Sequence, residues 1–396
     1  MTRRPDLDRT LESWMQEGPD VLPDHALDEA LDRVERTRQR PMALVHQRML
    51  GTAADSPLVP LWATVAGVAA AVLALAVMFA GVGRPSIGEE EEPTPTPPPS
   101  APTRAALRPE AIIPVPGAWI ALAEGDRVLV AADEQLVSID VATNETTAIP
   151  VPIPKGSWAG LAAADGDVWV GNFDDGVLYR IDPDSGETLA EVEVGPEAVS
   201  ITAVPGSIWA RTRGGVTWEA QRIDTETNEL VVTADGGNSI AYGHGSLWFG
   251  QRGANRILRA DPVTGETTAV ISVPRDDACE AAPTADAVWA FCFQDRPSGT
   301  VTRIDPATNE VVATIRLGGV AGGVFEVNGQ TWVSTASPDG GAFERIDLET
   351  NTVERVLLVG PGFAPDNAAI AGGSVWTSND NQDEVYRFPL DAFRSP

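Results

Sequence analysis

From Leu129 onward a large apolar residue returns at nearly even intervals. The positions are Leu129, Trp169, Trp209, Trp248, Trp289, Trp332 and Trp376, in steps of 40, 40, 39, 41, 43 and 44 residues. An aspartate keeps the same beat at Asp140, Asp182, Asp224, Asp261, Asp305 and Asp347, with Pro389 in the last copy. Few architectures accommodate such a period. Each copy holds four short runs rich in Val, Ile, Leu, Trp and Thr, divided by Gly, Asp, Asn and Pro, which is the pattern of four strands joined by tight turns. Four-stranded units at this period are the blades of a β-propeller.

In the second copy the runs are 160–164 (strand a), 168–173 (b), 177–182 (c) and 188–194 (d). Gly166, Gly206, Gly245, Gly329 and Gly373 share one register in the a–b turn. The c–d turn carries Asn144, Gly186, Asn228, Gly265, Asn309 or Asn351. Gly and Asn tolerate left-handed backbone, so the c–d turn is expected to be a type I turn closed by a bulge. The neighbouring Asp and Thr are expected to bond its amides. The repeated Trp is expected to pack one blade against the next. Seven b–c pairs can be counted, and the last copy has no room for strand d. The run Ala111-Ile112-Ile113-Pro114-Val115-Pro116 stands where such a strand would serve. An all-β, seven-bladed ring closed by an N-terminal strand is therefore predicted over 111–396, with no long open edge.

The N-terminal part is different in kind. Residues 1–58 carry 8 Arg and 11 acidic residues and read as a short helical region, with helices expected over 7–16 and from Pro23 to about Arg38. Leu61 to Gly83 is 23 residues without a charge, long enough to span a hydrocarbon core. A transmembrane helix is predicted within 59–84. Arginines crowd its N-terminal flank and Glu89–Glu92 follow it, which places residues 1–58 in the cytoplasm and the propeller outside. Residues 85–110 are acidic and then Pro-rich, and read as a linker. The chain is strongly acidic, with a net charge of −29 and one lysine, Lys155. That charge argues against a nucleic-acid partner, whose phosphates it would repel.

Two cysteines occur, Cys279 and Cys292, and the register of the other blades sets them opposite each other across a hairpin. A disulfide is predicted, as an exported domain permits. A ligand would be met at the mouth lined by the d–a and b–c loops. Counting back from each repeated Trp puts Trp119, Trp158, Ser200, Asn238, Ser239, Glu280, Asp366 and Asn367 there. The b–c loops add Asp174, Asp175, Trp218, Arg252 and 379–383. The run Asn379-Asp380-Asn381-Gln382-Asp383 offers alternating oxygens, so Ca2+ is the one cofactor considered, although the twelve-residue calcium loop is incomplete. The histidines are His25, His46 and His244, and no catalytic set assembles around them.

Gly245-Ser246-Leu247-Trp248-Phe249, followed by Asn255 to Pro262 and Thr264-Gly265-Glu266, resembles the streptogramin (virginiamycin B) lyase-like and YVTN-type β-propeller superfamily. The resemblance implies the propeller fold over 111–396. For the lyases it also implies a histidine and an acid around a divalent metal. His244 falls in an a–b turn, on the face away from the mouth. Residues 1–83 resemble the N-terminal part of actinobacterial-type membrane proteins with a short cytosolic helical region, one span and an exported sensor-like domain. Some of these are anti-sigma factors, whose zinc-binding His/Cys cluster has no counterpart here. The expected function is non-enzymatic binding or sensing at the cell envelope, with a possible cytoplasmic partner for residues 1–58. A lyase-like enzyme and a pure interaction scaffold are the alternatives.

Overall fold

The computed structural model describes residues 101–396, apart from 152, 154–158, 199, 215–216, 275–278, 293–298, 366, 380–381 and 395–396. The helical region expected over 1–58, the span expected within 59–84 and the first part of the linker lie outside the described residues. Among the described residues no helix is long and apolar enough to cross a membrane.

Alternating short strands build seven antiparallel sheets in a ring. Blades one to seven span 121–150, 159–193, 200–235, 239–272, 280–316, 320–360 and 368–389. Strands a of successive blades touch one another, so they line the central axis. In blade two the strands are Ala159–Ala164, Asp167–Asn172, Val177–Ile181 and Thr188–Glu193, within a residue of the expected bounds. The fourth strand of blade seven is Ala111–Pro114, paired antiparallel with Glu384–Pro389. The predicted closure is therefore present.

The turns form as their residues dictate. Asn144, Gly186, Asn228, Gly265, Asn309 and Asn351 all adopt φ between 53° and 75°. A bulge follows the turn in blades two to six. The repeated aspartate accepts the turn amides: Asp261 takes Val263 and Thr264 N–H at 2.8 Å each, and Asp182 takes Asp184 and Ser185 N–H at 2.8 and 3.1 Å. Backbone N–H donors hold the carboxyls of Asp140, Asp182, Asp224, Asp261 and Asp347 below their ordinary range. Folding thus depresses five carboxyl pKa values. The stability they supply is complete above about pH 4 and is lost as pH falls below it. The melting temperature should therefore drop between pH 4 and pH 3. A flat profile there would remove the turn aspartates from the account.

The six repeated tryptophans are fully buried, each between its own blade and the next. An arginine clasp lies over several of them. Arg180, Arg259 and Arg387 stack on Trp169, Trp248 and Trp376 at 5.6, 5.1 and 5.0 Å. Each then reaches the c–d turn of the following blade. Arg259 donates to Pro306 O and Asn309 Oδ1, and Arg387 donates across the seam to Val141 O and Asn144 Oδ1. Arg303 makes the equivalent bonds to Leu348 O and Asn351 Oδ1.

Blade seven has no c–d turn to offer blade six, because its strand d comes from the other end of the chain. The final 3-10 turn, Leu390–Phe393, fills that place. Phe393 is fully buried and meets Trp332 edge-on at 5.0 Å, with Phe343 at 5.2 Å. One further strand, Thr103–Ala106, lies inside the stretch read as linker. It runs parallel to Thr352–Gly360 on the outer edge of blade six, and the following Leu107 is buried.

Cys279 and Cys292 are disulfide-bonded, their Cα atoms 4.9 Å apart. The bond staples strands a and b of blade five over a 13-residue separation. Reduction is expected to cost about 2–3 kcal/mol of unfolding free energy, read from urea melts with and without reductant. An unchanged midpoint would refute a stabilising role.

Candidate functional site

The d–a loops and the ends of the b–c hairpins converge on one mouth of the ring. There they enclose an open cavity of about 580 Å³ to which all seven blades contribute. Trp119, Ser200, Asn238, Glu280 and Asn367 line it, and Ser239 is buried directly behind. Trp158 and Asp366 lie outside the described residues. Of the b–c loop candidates, Trp218 and Arg252 line the cavity and Asp174 and Asp175 do not.

Several of these side chains are already engaged in holding blades together. The Asn367 amide bonds both Ala121 N and Ala121 O, lashing blade seven to blade one. Ser200 Oγ accepts Ile240 N–H from the next blade at 3.0 Å, and Asn238 Oδ1 accepts Arg252 N–H at 2.6 Å. The run considered for calcium behaves likewise. Asp383 Oδ1 accepts Gly117 N–H, and Gln382 Oε1 accepts the Tyr386 hydroxyl and the Asn379 amide. Among the described residues no cluster of three or more His, Cys, Asp or Glu could hold a metal. His244 sits in its turn at φ 51°, with Nε2 2.8 Å from Thr284 O.

The charged part of the wall is concentrated in blades three to five. Arg211 is 6% exposed, with its guanidinium carbon 4.3 Å from the centre of the Trp218 ring. Arg213 lies 5.0 Å from the same ring and pairs with Glu197 at 3.0 Å. Burial pushes the Arg211 guanidinium below its ordinary value, opposed by Glu280 and then Glu197. Burial pushes the Glu280 carboxyl up to about 7, in spite of the Ser239 hydroxyl, Arg211 and Arg252, which favour its charged form. A carboxyl raised in this way stabilises the fold below its unfolded value, near pH 4.3, and loses that contribution as pH rises through about 7. Glu280→Gln should therefore raise the melting temperature at pH 8 by about 2–4 °C and leave it unchanged at pH 4. A fall at pH 8 would show that ionised Glu280 is a net stabiliser.

Arg211, Arg213, Glu197, Phe173 and Phe291 were not among the expected site residues, yet a signal for two of them exists in the repeat. Two residues after five of the seven markers stand Ala131, Gly171, Gly250, Ser334 and Ser378, all small. The geometry requires this, because the next blade's backbone passes there. A Cβ on Gly171 would meet Ala198 O at 2.2 Å, and one on Gly250 would meet Cys279 O at 2.0 Å. Arg211 and Phe291 break that rule, and both turn up in the cavity wall.

No protein-family model matches the chain, and no curated protein matches it by sequence. Its fold is shared with solved structures. A chain in a crystal structure of the mitotic checkpoint complex superposes with a TM-score of 0.57 at 13% identity, covering 76% of this chain and 99% of that one. Kuenenia stuttgartiensis hydrazine synthase gives 0.58 at 14%, covering 69% and 96%. The WD40 β-propeller domain of Doa1 gives 0.57 at 11%, covering 71% and 96%. This chain carries a seven-bladed β-propeller. At such identities the likeness speaks for the fold and for nothing finer.

Proposed function

We propose that this propeller is a non-enzymatic binding module that meets its ligand in the funnel. The observation that carries the reading is the cavity itself: a concave, largely apolar wall from all seven blades with a few charged groups converging on it. Small-molecule sites have that character. The test is a thermal-shift ligand screen with Trp119→Ala beside the parent protein. A ligand that raises the parent's melting temperature and not the variant's supports the reading. Ligands that stabilise both equally would put the site elsewhere.

In the same reading, Leu61 to Gly83 anchors the chain in the cell membrane as a single span. The propeller stands outside the cytoplasm and residues 1–58 inside, available to a cytoplasmic partner. The uncharged length of the segment and the arginines before it support this. Protease added to intact cells should then digest the propeller's surface loops and spare residues 1–58. The streptogramin lyase-like alternative rests on the repeat's resemblance. Its chemistry calls for a histidine in the funnel, whereas His244 is bonded in a turn among the a–b loops.

A further inference from the structure

Arg211 stands in the funnel wall, at a position where five of the seven copies carry a small residue. It is 6% exposed, and its Nε has no hydrogen-bond partner among the described residues. Its guanidinium carbon lies 4.3 Å from the centre of the Trp218 ring, which fixes the plane of the group but accepts no strong hydrogen bond. A buried donor left unsatisfied is costly to a fold, so the position calls for an acceptor. The other two arginines of the wall are occupied. Arg213 pairs with Glu197 at 3.0 Å, and Arg252 has a partner of its own.

Glu280 is the acid that Arg211 faces. The two attract each other within the wall, yet among the described residues no hydrogen bond or ion pair joins them. Each is held from behind instead, Arg211 by Trp218 and Glu280 by the Ser239 hydroxyl. A donor and an acceptor are thus presented together without meeting, in a cavity of about 580 Å³. Glu280 keeps an acceptor oxygen whether or not it carries a proton. Neighbouring polar side chains are committed to the ring: Asn367 bonds both Ala121 N and Ala121 O, and Ser200 Oγ accepts Ile240 N–H. The rest of the wall is mainly apolar and aromatic, with Trp119, Phe173 and Phe291 from blades one, two and five, and Phe173 is 37% exposed.

We propose that the funnel binds a flat, apolar lactam, its carbonyl oxygen accepting from the Arg211 guanidinium, its N–H donating to the Glu280 carboxyl, and its body laid against the Trp119, Phe173 and Phe291 wall. A lactam edge carries one acceptor and one donor in one plane, and so matches the two groups one for one. A carboxylate would bring Glu280 no donor and would be repelled by its ionised form. An ammonium would bring three donors to a single acceptor. This inference rests on the funnel being a binding site and adds the class of ligand.

The two halves of the edge can be removed one at a time. Methylating the ligand nitrogen takes away the donor and leaves Glu280 without a partner in the complex. Deleting the carbonyl does the same to Arg211. Each change should weaken binding about tenfold, because a polar group enclosed without its partner loses more than the bond itself contributed. Each penalty should disappear in the variant that lacks the matching side chain, which is not expected of a residue that only supports the wall.

The experiment is isothermal titration of the full-length protein in detergent micelles with 2-quinolone, N-methyl-2-quinolone and quinoline. 2-Naphthoate and L-phenylalanine serve as an anion and a zwitterion with aromatic bodies. The parent is expected to bind 2-quinolone about tenfold more tightly than either analogue. Glu280→Ala should bring the N-methyl compound level with 2-quinolone and keep both ahead of quinoline. Arg211→Met should narrow the lead over quinoline and keep the penalty for N-methylation. If Arg211→Met does not fold, the Glu280→Ala comparison decides. An N-methylation penalty that is absent from the parent, or unchanged in Glu280→Ala, overturns the inference. If the three heterocycles bind equally and Trp119→Ala abolishes all of them, the funnel is still a binding site and only the lactam assignment falls. If none binds, the inference falls, and the broader thermal-shift screen judges the binding reading separately. 2-Naphthoate or L-phenylalanine binding as tightly as 2-quinolone overturns the stated class.

Discussion

A chain that begins at Gly117 is expected to lose its single cooperative unfolding transition. The strand Ala111–Pro114 supplies four paired residues to Glu384–Pro389, and Val115 N–H adds a bond to Asp383 O. Ile113 and Val115 are 7% and 1% exposed, packed among residues of blades seven and one. Burying two such side chains is worth about 3–6 kcal/mol, against a typical total of about 5–15 kcal/mol for a whole domain. Removal also leaves Glu384–Pro389 as a bare edge, which invites pairing between molecules. Scanning calorimetry should show a broadened, low-temperature transition, and size-exclusion chromatography should show oligomers. An unaltered melting temperature in a monomer would refute closure by this strand.

The second large effect is expected at Phe393→Ala. Phe393 contacts Phe325, Trp332 and Phe343, all within a cluster that joins blades six and seven. It occupies the space that elsewhere receives the next blade's turn. In blade four, for example, Gly265 lies so close to Trp209 that a Cβ would stand 2.8 Å from the ring. Emptying a fully buried phenylalanine site costs about 3–5 kcal/mol. Chemical denaturation should show that loss, whereas Arg394→Ala, one residue later, should change little. Equal and small effects would mean that the C-terminal turn is ornamental to the seam.

The ring, its closing strand and the disulfide were legible because each follows from the repeat. A forty-residue beat fixes the blade, a missing strand at one end requires a spare at the other, and a shared register aligns Cys279 with Cys292. The rest is hidden in the sequence for equally physical reasons. The arginine clasp was hidden because Arg180, Arg259, Arg303 and Arg387 read as solvated charges on a strand. Only the neighbouring blade shows that all four heads bind a turn, while Arg180, Arg259 and Arg387 also lie over a tryptophan. Thr103–Ala106 is exposed and follows a proline-rich run, so nothing in its residues distinguishes a strand from a linker. Phe393 lies beyond the last repeat, where no comparison between copies reaches it. Arg211 is informative only as a departure from what the copies share. The amide candidates Asn367 and Asn238 line the cavity, but most of their hydrogen bonds serve the ring itself.

The closing strand also sets an order of events during synthesis. Ala111 leaves the ribosome roughly 280 residues before its partner Arg387, which at common elongation rates is on the order of 10–60 s. Through that interval blades one to six can form one after another from local hairpins. The finished arc nevertheless keeps an unpaired N-terminal segment waiting for the last hairpin to emerge. The closing strand is made before every blade and used after all of them. Completion of the ring is thus a single late event that waits on the synthesis of blade seven.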